Sequence, residues 1–481
     1  MTTVFLKACC RAAMAVAIVA TASSGSTAES RPDPERAKAA PLVQVKPAKG
    51  LRKLVEPDCA LVASNGEAPS ALSAAVSSTT IVVVTKTTLA TYNKGTCKQT
   101  SSGPLRHFTI TDAAVVSPRV IHDPVSDRFL LALISGNSAS GEQWLSLFQS
   151  EDASAINFEG FFTILRNEDG QSVCDEYVAN DWDGLTLGQS PDRWFIAADN
   201  SYDYVASSTI LSFEKGTPMP GRDFQCFNDL APNVVPPIVL DDPKTAVFIA
   251  PEALDGGNKI LRYALNISAN GPTGDTLSGL RSVRIPRWTA APAVVQPNHQ
   301  MLDAGDGRFS GASIQSGRFL WNIHTIAHRV TAKPRAYKLT VSGRRRQPVY
   351  TFMPTTVKKG HDDLFNASLA VIPGKKQDRL FFTATRSVRG HRGSVPSMVM
   401  LRGRHAFRRA RAWSYVTVAR SKAPVTGCQS QSDGTCAWSL STATTIDPTD
   451  PTFAWGFNQI ATGTPPLGET DWRVQTGRIA Q

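Results

Sequence analysis

The sequence predicts an all-β protein, on three observations: short apolar runs, the turn chemistry between them, and their recurrence along the chain. From about Asp58 onward, runs rich in Val, Ile, Leu, Phe and Trp alternate with clusters of Gly, Pro, Asn, Asp and Ser, and few stretches carry helical periodicity. The 481 residues are 42% hydrophobic, which supplies a large core and argues against a mainly disordered chain.

The recurring unit is strand, turn, strand. The first is Ala74-Ala75-Val76, turning at Ser77-Ser78 into Ile81-Val82-Val83-Val84. The second runs Ser117-Pro118-Arg119-Val120-Ile121-His122, turns at Asp123-Pro124, and continues from Phe129 to Ile134. A third joins Gly184-Leu185-Thr186-Leu187-Gly188-Gln189 through Pro191-Asp192-Arg193 to Trp194-Phe195-Ile196-Ala197-Ala198. A fourth joins Pro237-Ile238-Val239-Leu240 through Asp241-Asp242-Pro243 to Ala246-Val247-Phe248-Ile249. The fifth is Ala312-Ser313-Ile314-Gln315, turning at Ser316-Gly317 into Phe319-Leu320-Trp321. A sixth links Ala367 to Val371 with Leu380-Phe381-Phe382 through Pro373-Gly374, and a seventh links Ser441 to Ile446 with Thr452-Phe453-Ala454-Trp455 through Asp447-Pro448-Thr449-Asp450.

Each unit is usually followed by further strand-like sequence, and a four-stranded antiparallel blade takes about 40 to 60 residues. The expected fold is therefore a seven-bladed β-propeller of four-stranded antiparallel blades, which leaves no long exposed sheet edge. In such a ring the inner strands want small and β-branched residues, and the next strand wants a bulky apolar face on both sides. The quoted units follow that order; a pair of β-sandwiches is the competing architecture.

On these residues the chain resembles a mostly uncharacterised family of exported bacterial proteins with a predicted propeller fold, over roughly residues 74 to 480. The resemblance is carried by Ala75 to Val84 through Thr91-Tyr92-Asn93-Lys94-Gly95, by Ser117 to Asp123 with Asp127-Arg128-Phe129, and by Trp438 to Asp450 before Phe453-Ala454-Trp455. Where the family often has an aromatic-Asp-Tyr-Pro segment, this chain reads Asp181-Trp182-Asp183-Gly184. The resemblance implies a fold and no known chemistry.

The N-terminus reads as an export signal over residues 1–28. Lys7 and Arg11 precede the apolar run from Ala12 to Ala22, and Ser26-Thr27-Ala28 supplies small residues for cleavage. A Pro/Ala/Lys-rich leader, residues 29–57, is expected to be flexible, and residues 58–481 to form the single propeller domain. A secreted or periplasmic location follows, with no membrane span in the mature chain. The six cysteines beyond the signal, Cys59, Cys97, Cys174, Cys226, Cys428 and Cys436, suggest three disulfides. Proximity in sequence favours Cys59–Cys97, Cys174–Cys226 and Cys428–Cys436, although spacing alone leaves every other pairing open.

Charge is uneven. The formal net charge is +11, and basic residues crowd positions 329 to 411 while acidic residues crowd 151 to 255. Arg344-Arg345-Arg346 reads as a loop tip, and Arg404, Arg408 and Arg409 lie in one later unit; arginine forks suit carboxylate, sulfate and phosphate. The partner expected on this basis is an extracellular anionic glycan or a protein surface, the alternative being faces that compensate each other or are merely solvated. Sparse aromatic interleaving speaks against a dedicated nucleic-acid groove.

Propellers gather ligands where inner strands and their loops converge. Asp181 and Asp183 precede one inner strand; Asp303, Asp306 and Arg308 precede another; His361, Asp362 and Asp363 precede a third. These are the channel-mouth candidates, with Asp181, Asp183, Asp306, Arg308, His361 and Asp362 foremost, set against the plainer reading that Asp and Gly make turns. Converging carboxylates suit a hard cation such as calcium, or an acid/base pair, but no contiguous calcium loop occurs and no cofactor or metal is expected beyond that structural calcium. His324 and His328, four apart on a strand, lie too far apart to share a metal and read as packed side chains. No serine-hydrolase elbow, His-Glu-x-x-His helix or phosphate loop is present, so no residue is assigned as catalytic. The sequence therefore points to a secreted binding or scaffolding module. The alternative is a polysaccharide hydrolase or lyase working through carboxylates at the channel mouth.

Overall fold

The computed structural model describes residues 42–47, 59–63, 71–109, 114–137, 142–165, 181–202, 205–216, 224–241, 244–341, 350–355, 362–388, 394–406, 409–425, 434–436, 438, 442–463 and 472–480. The expected signal segment lies outside them. All the regular structure described is β apart from the short 3₁₀ turns Leu105–Phe108 and Pro272–Gly274. The all-β expectation therefore holds, and six of the seven quoted hairpins are paired; in the fourth, Pro237–Val239 pairs in parallel with Asp181–Gln189 and Ser313–Ser316 instead of with Thr245–Pro251.

Among the described residues the main antiparallel pairing falls into seven groups, here I to VII. Sheet I comprises Ser73–Val76, Thr80–Val84, Thr88–Asn93 and Gln99–Pro104, paired in sequence order. Sheet II comprises Ala114–Asp123, Arg128–Asn137, Glu142–Ser150 and Phe158–Leu165. Sheet III comprises Asp181–Gln189, Arg193–Tyr202, Val205–Glu214 and Phe224–Leu230. In sheet IV, Thr245–Pro251, Gly256–Asn266 and Arg281–Thr289 follow Pro237–Val239, and Val235 just ahead bridges Ile249. Sheet V holds Ser313–Ser316, Phe319–His328, Thr331–Thr340 and Tyr350–Thr355; sheet VI holds Asp362–Ile372, Gln377–Val388, Ser397–Ala406 and Arg409–Arg420. Sheet VII holds Ala443–Ile446, Phe453–Ala461 and Trp472–Ala480, and its fourth strand is Cys59–Ala63 from the other end of the chain. Leu42–Pro47, within the expected leader, pairs in parallel with the last strands of V and VI.

The second strand of each sheet carries the core, and its period-2 geometry explains how. In sheet III, Trp194 and Ile196 pack with Leu130, Ile134 and Leu147 of II, whereas Phe195 and Ala197 pack with Phe248 and Leu265 of IV. In sheet I, Val82 and Val84 meet Phe129 and Leu131 of II, while Ile81 and Val83 meet Trp455 and Trp472 of VII. Sheet VI divides likewise: Leu380 and Phe382 face Trp321 of V, and Phe381 faces Ala454 and Ile479 of VII. These strands are apolar on both faces because each is covered by a sheet on either side. A side chain such as Trp194, fully buried, contributes about 1.5–3 kcal/mol by leaving water.

A polar tie spans every junction between consecutive sheets. The Ser78 amide of I donates to Asp127 of II (3.2 Å), and Lys215 of III bonds Asp123 of II (2.8 Å). Arg193 of III reaches Asp275 of IV (3.4 Å), and Asp241 of IV accepts from the Gly317 amide of V. Lys338 of V holds Asp378 of VI (2.6 Å), and Thr442 before VII donates to the Asn366 carbonyl of VI (2.8 Å). Lys94 of I then bonds Asp447 of VII (3.1 Å). The first strands touch in the same succession except between V and VI, where Asp362–Ile372 meets the second and third strands of V, and the first strand of VII contacts that of I.

Candidate functional site

Two cavities follow the first strands. The larger, about 380 Å³, is lined by residues from the first strand of all seven sheets, among them Ala75, Ile121, Leu187, Ile238, Ile314, Leu369 and Ala443. The smaller, about 290 Å³, lies toward the beginnings of those strands, with the charged side chains of Arg119, Asp183, Asp199, Asp306 and Arg308 in its wall. Arg119, Thr186 and Ser310 line both.

The polar mouth is built around an irregularity in sheet III. Thr186 pairs with Ala197, but a bulge then shifts the register so that Asp183 sits opposite Asp199. Gly184, at φ 62°, occupies the bulge, and a Cβ there would lie 2.3 Å from Asp199 Oδ2. Only glycine admits the carboxyl at this place. The Asp199 carboxylate accepts from Ser208 Oγ (2.7 Å) and from the Asn233 amide (2.8 Å). Burial raises its pKa above the ordinary aspartate value; those two bonds and Arg308 oppose the rise, and Asp183 adds to it.

Two guanidiniums face the pair. Arg119 projects from the first strand of II and bonds the carbonyl of its neighbour Pro118 through Nη1 (2.7 Å). Burial brings its pKa down to about 10, with Asp183 holding it up and Arg308 pushing it down, so it stays charged at neutral pH. Burial also works against the charge on Arg308, but the two-pronged bond to Asp306 (2.9 Å and 2.6 Å) outweighs it, with Asp199 and Asp183 adding to the upward shift. The loop bearing these residues is pinned from below: buried His324 meets the Gly307 carbonyl through Nδ1 and the Tyr337 hydroxyl through Nε2, each at 2.7 Å. Burial drives His324 down to about 3, so it is a neutral packing element, as its sequence context suggested.

Of the sequence candidates, Asp183, Asp306 and Arg308 meet in this cavity. Asp181 begins the same strand, with its side chain outside the described residues, as is His361 entirely. Asp362 lines neither cavity; it is fully buried between Lys333 (2.7 Å) and Arg386 (3.2 Å). Arg344, Arg345, Arg346 and Arg408 lie outside the described residues, as does the side chain of Arg409, while Arg404 is exposed on the third strand of VI. Cys97, Cys226 and Cys436 are disulfide-bonded; Cys174, Cys428 and the side chain of Cys59 lie outside the described residues. Among the described residues no group of three His, Cys, Asp or Glu is placed to hold a metal ion, and no helix is long and apolar enough to cross a membrane. Sequence reasoning missed Asp199, whose only signal is an acid ending the apolar run Trp194 to Ala198.

No family model and no curated protein matches the chain. Among solved structures, the α-L-arabinofuranosidase Arb93A of Fusarium graminearum aligns over 87% of this chain and 96% of its own, at 10% identity and TM-score 0.40. The WD40 domain of SCAP from fission yeast aligns over 84% and 79%, at 9% identity and TM-score 0.34. The Bombyx mori GH32 β-fructofuranosidase BmSUC1 aligns over 88% and 93%, at 8% identity and TM-score 0.31.

Proposed function

We propose that the seven sheets are the blades of a closed seven-bladed β-propeller, and that the polar mouth hydrolyses a glycosidic bond. The ring is supported by the succession of ties through Lys94 and Asp447, by the N-terminal strand completing sheet VII, and by the cavity that all seven first strands line. The chemistry rests on one observation: two carboxyls, Asp183 and Asp199, face each other across a strand pair in the wall of one cavity.

Directly opposed strand residues hold their Cβ atoms about 4.5–5.5 Å apart. Retaining glycosidases set their two carboxyls about 5–5.5 Å apart. Asp199, whose pKa burial raises, is the group to keep its proton and pass it to the leaving oxygen. Asp183, open to the cavity, is the group to attack the anomeric carbon; water then releases the sugar as Asp199 takes a proton back. Arg119 and Arg308 orient the sugar hydroxyls or a carboxylate on them. This reading takes up the hydrolase alternative in preference to the binding module. Screening aryl glycosides, furanosides and uronosides included, tests it: Asp199→Asn and Asp183→Asn each lower turnover by at least about 10², with the anomeric configuration retained in the wild-type product. Absence of turnover across the panel, or full turnover in both variants, refutes it.

A second reading keeps the chain as an exported module for an anionic glycan. It is favoured by Arg404, exposed and directly opposite Arg379 on the neighbouring strand, where like charges repel unless an anion lies between them. Binding to a sulfated or uronic polysaccharide that falls with salt supports it; salt-independent binding counts against it.

A further inference from the structure

Below the mouth the cavity changes character. Ile121, Leu187, Ile238, Ile314, Leu369 and Val371 give the shaft a mainly apolar wall, interrupted by Gln189, Asn322 and Thr444, and Arg119 stands where shaft and mouth meet, lining both. A guanidinium carries five N–H donors. The hydrogen bond Arg119 makes among the described residues goes to its own neighbour's carbonyl, and none of the ion pairs there includes it. A half-buried charge with donors to spare, at the head of a mainly apolar tube, is complementary to an anion that carries a hydrocarbon tail.

We propose that the channel binds a single-chain carboxylate amphiphile, its headgroup on Arg119 and its alkyl chain in the shaft. The site shares Arg119 with the hydrolytic reading but does not rest on that reading, because it uses neither carboxyl and needs no glycoside present. Shape and charge both enter: the tail is selected by apolar walls drawn from seven strands, and the head by the fork of Arg119. Arg308 is already engaged by Asp306, which leaves Arg119 as the anchor.

Calorimetric titration of the full chain with octanoate, decanoate and dodecanoate, below their micelle concentrations, tests this. Each buried methylene contributes about 0.8 kcal/mol, so affinity rises about 4-fold per carbon, or roughly 15-fold per two-carbon step. Acetate and decanol, which each lack one half of the ligand, bind at least 10-fold more weakly than decanoate. Arg119→Gln removes that preference for decanoate over decanol, and Arg119→Lys restores part of it. Ala443→Phe, which fills the shaft from sheet VII, weakens dodecanoate more than octanoate. A thermal melt identifies a variant that fails to fold, in which case the wild-type series decides alone. Affinity independent of chain length, or decanol matching decanoate on the wild-type protein, overturns the proposal.

Discussion

The aspartates at the turn end of the first strands and Asp199 in the cavity at the other end are treated in opposite ways. At the end where the first strands turn into the second, Asp123, Asp127 and Asp447 each bond a group from a neighbouring sheet, and each is held below the ordinary aspartate pKa. Asp447 is the extreme case: it takes bonds from Thr449, Trp455 Nε1 and Lys94, and it is lowered to about 2 although burial opposes this. At the beginnings of the strands, Asp199 is buried beside another carboxylate, and its pKa moves the other way. Carboxylates satisfied by cations and amides stabilise the assembly; one whose charged form burial disfavours carries a cost instead.

The sharpest way to break this contrast is to remove one acid from each end. Asp199→Asn should cut hydrolytic turnover by about 10²–10⁴, the range for loss of a general acid, while raising the melting temperature. The rise follows because the variant removes a carboxylate that the fold disfavours in its charged form. Asp447→Ala should do the reverse, costing about 3–5 kcal/mol in urea unfolding by removing the buried carboxylate that Lys94 and Arg478 share, with the mouth untouched. If the two variants shifted stability in the same direction, the contrast would fail.

Backbone strain gives an intermediate effect. Gly184→Ala should cost about 1–3 kcal/mol, from positive φ and contact with Asp199, and should depress turnover more than stability. Crystallography of the variant should show the Asp199 carboxyl displaced.

The smallest effect is on pH dependence, and the two ends carry opposite signs. Asp447 has a folded pKa of about 2 against about 3.9 unfolded, so its contribution is complete above pH 4 and lost as pH falls toward 2. Asp199, raised on folding, lowers stability once it ionises, and recovers that loss as pH falls through its folded pKa toward the unfolded one. Chemical denaturation from pH 7 to pH 2 should show the first dependence flattened in Asp447→Asn and the second in Asp199→Asn.

Much of the architecture was legible in the chain because turns and strand cores are local. Pro124 after Asp123, Pro191-Asp192 and Asp447-Pro448 announced their hairpins, and two-sided runs such as Phe129 to Ile134 announced burial on both faces. The site was less legible. Counting outward from the pair Gln189 and Trp194 in an unbroken hairpin sets Asp183 opposite Asn200; the bulge at Gly184 substitutes Asp199. A one-residue slip changes which side chain faces which partner, and no composition or spacing announces it.

Residue order alone determined the β class, six of the seven hairpins, and the candidacy of Asp183, Asp306 and Arg308, since each depends on propensities and turns within a few neighbours. Tertiary structure decided that Asp362 would be sealed between Lys333 and Arg386, and that Arg119 would stand at the junction of two cavities. Those outcomes depend on contacts between strands far apart in the chain, where burial and the nearest charge, rather than residue type, determine what a side chain does.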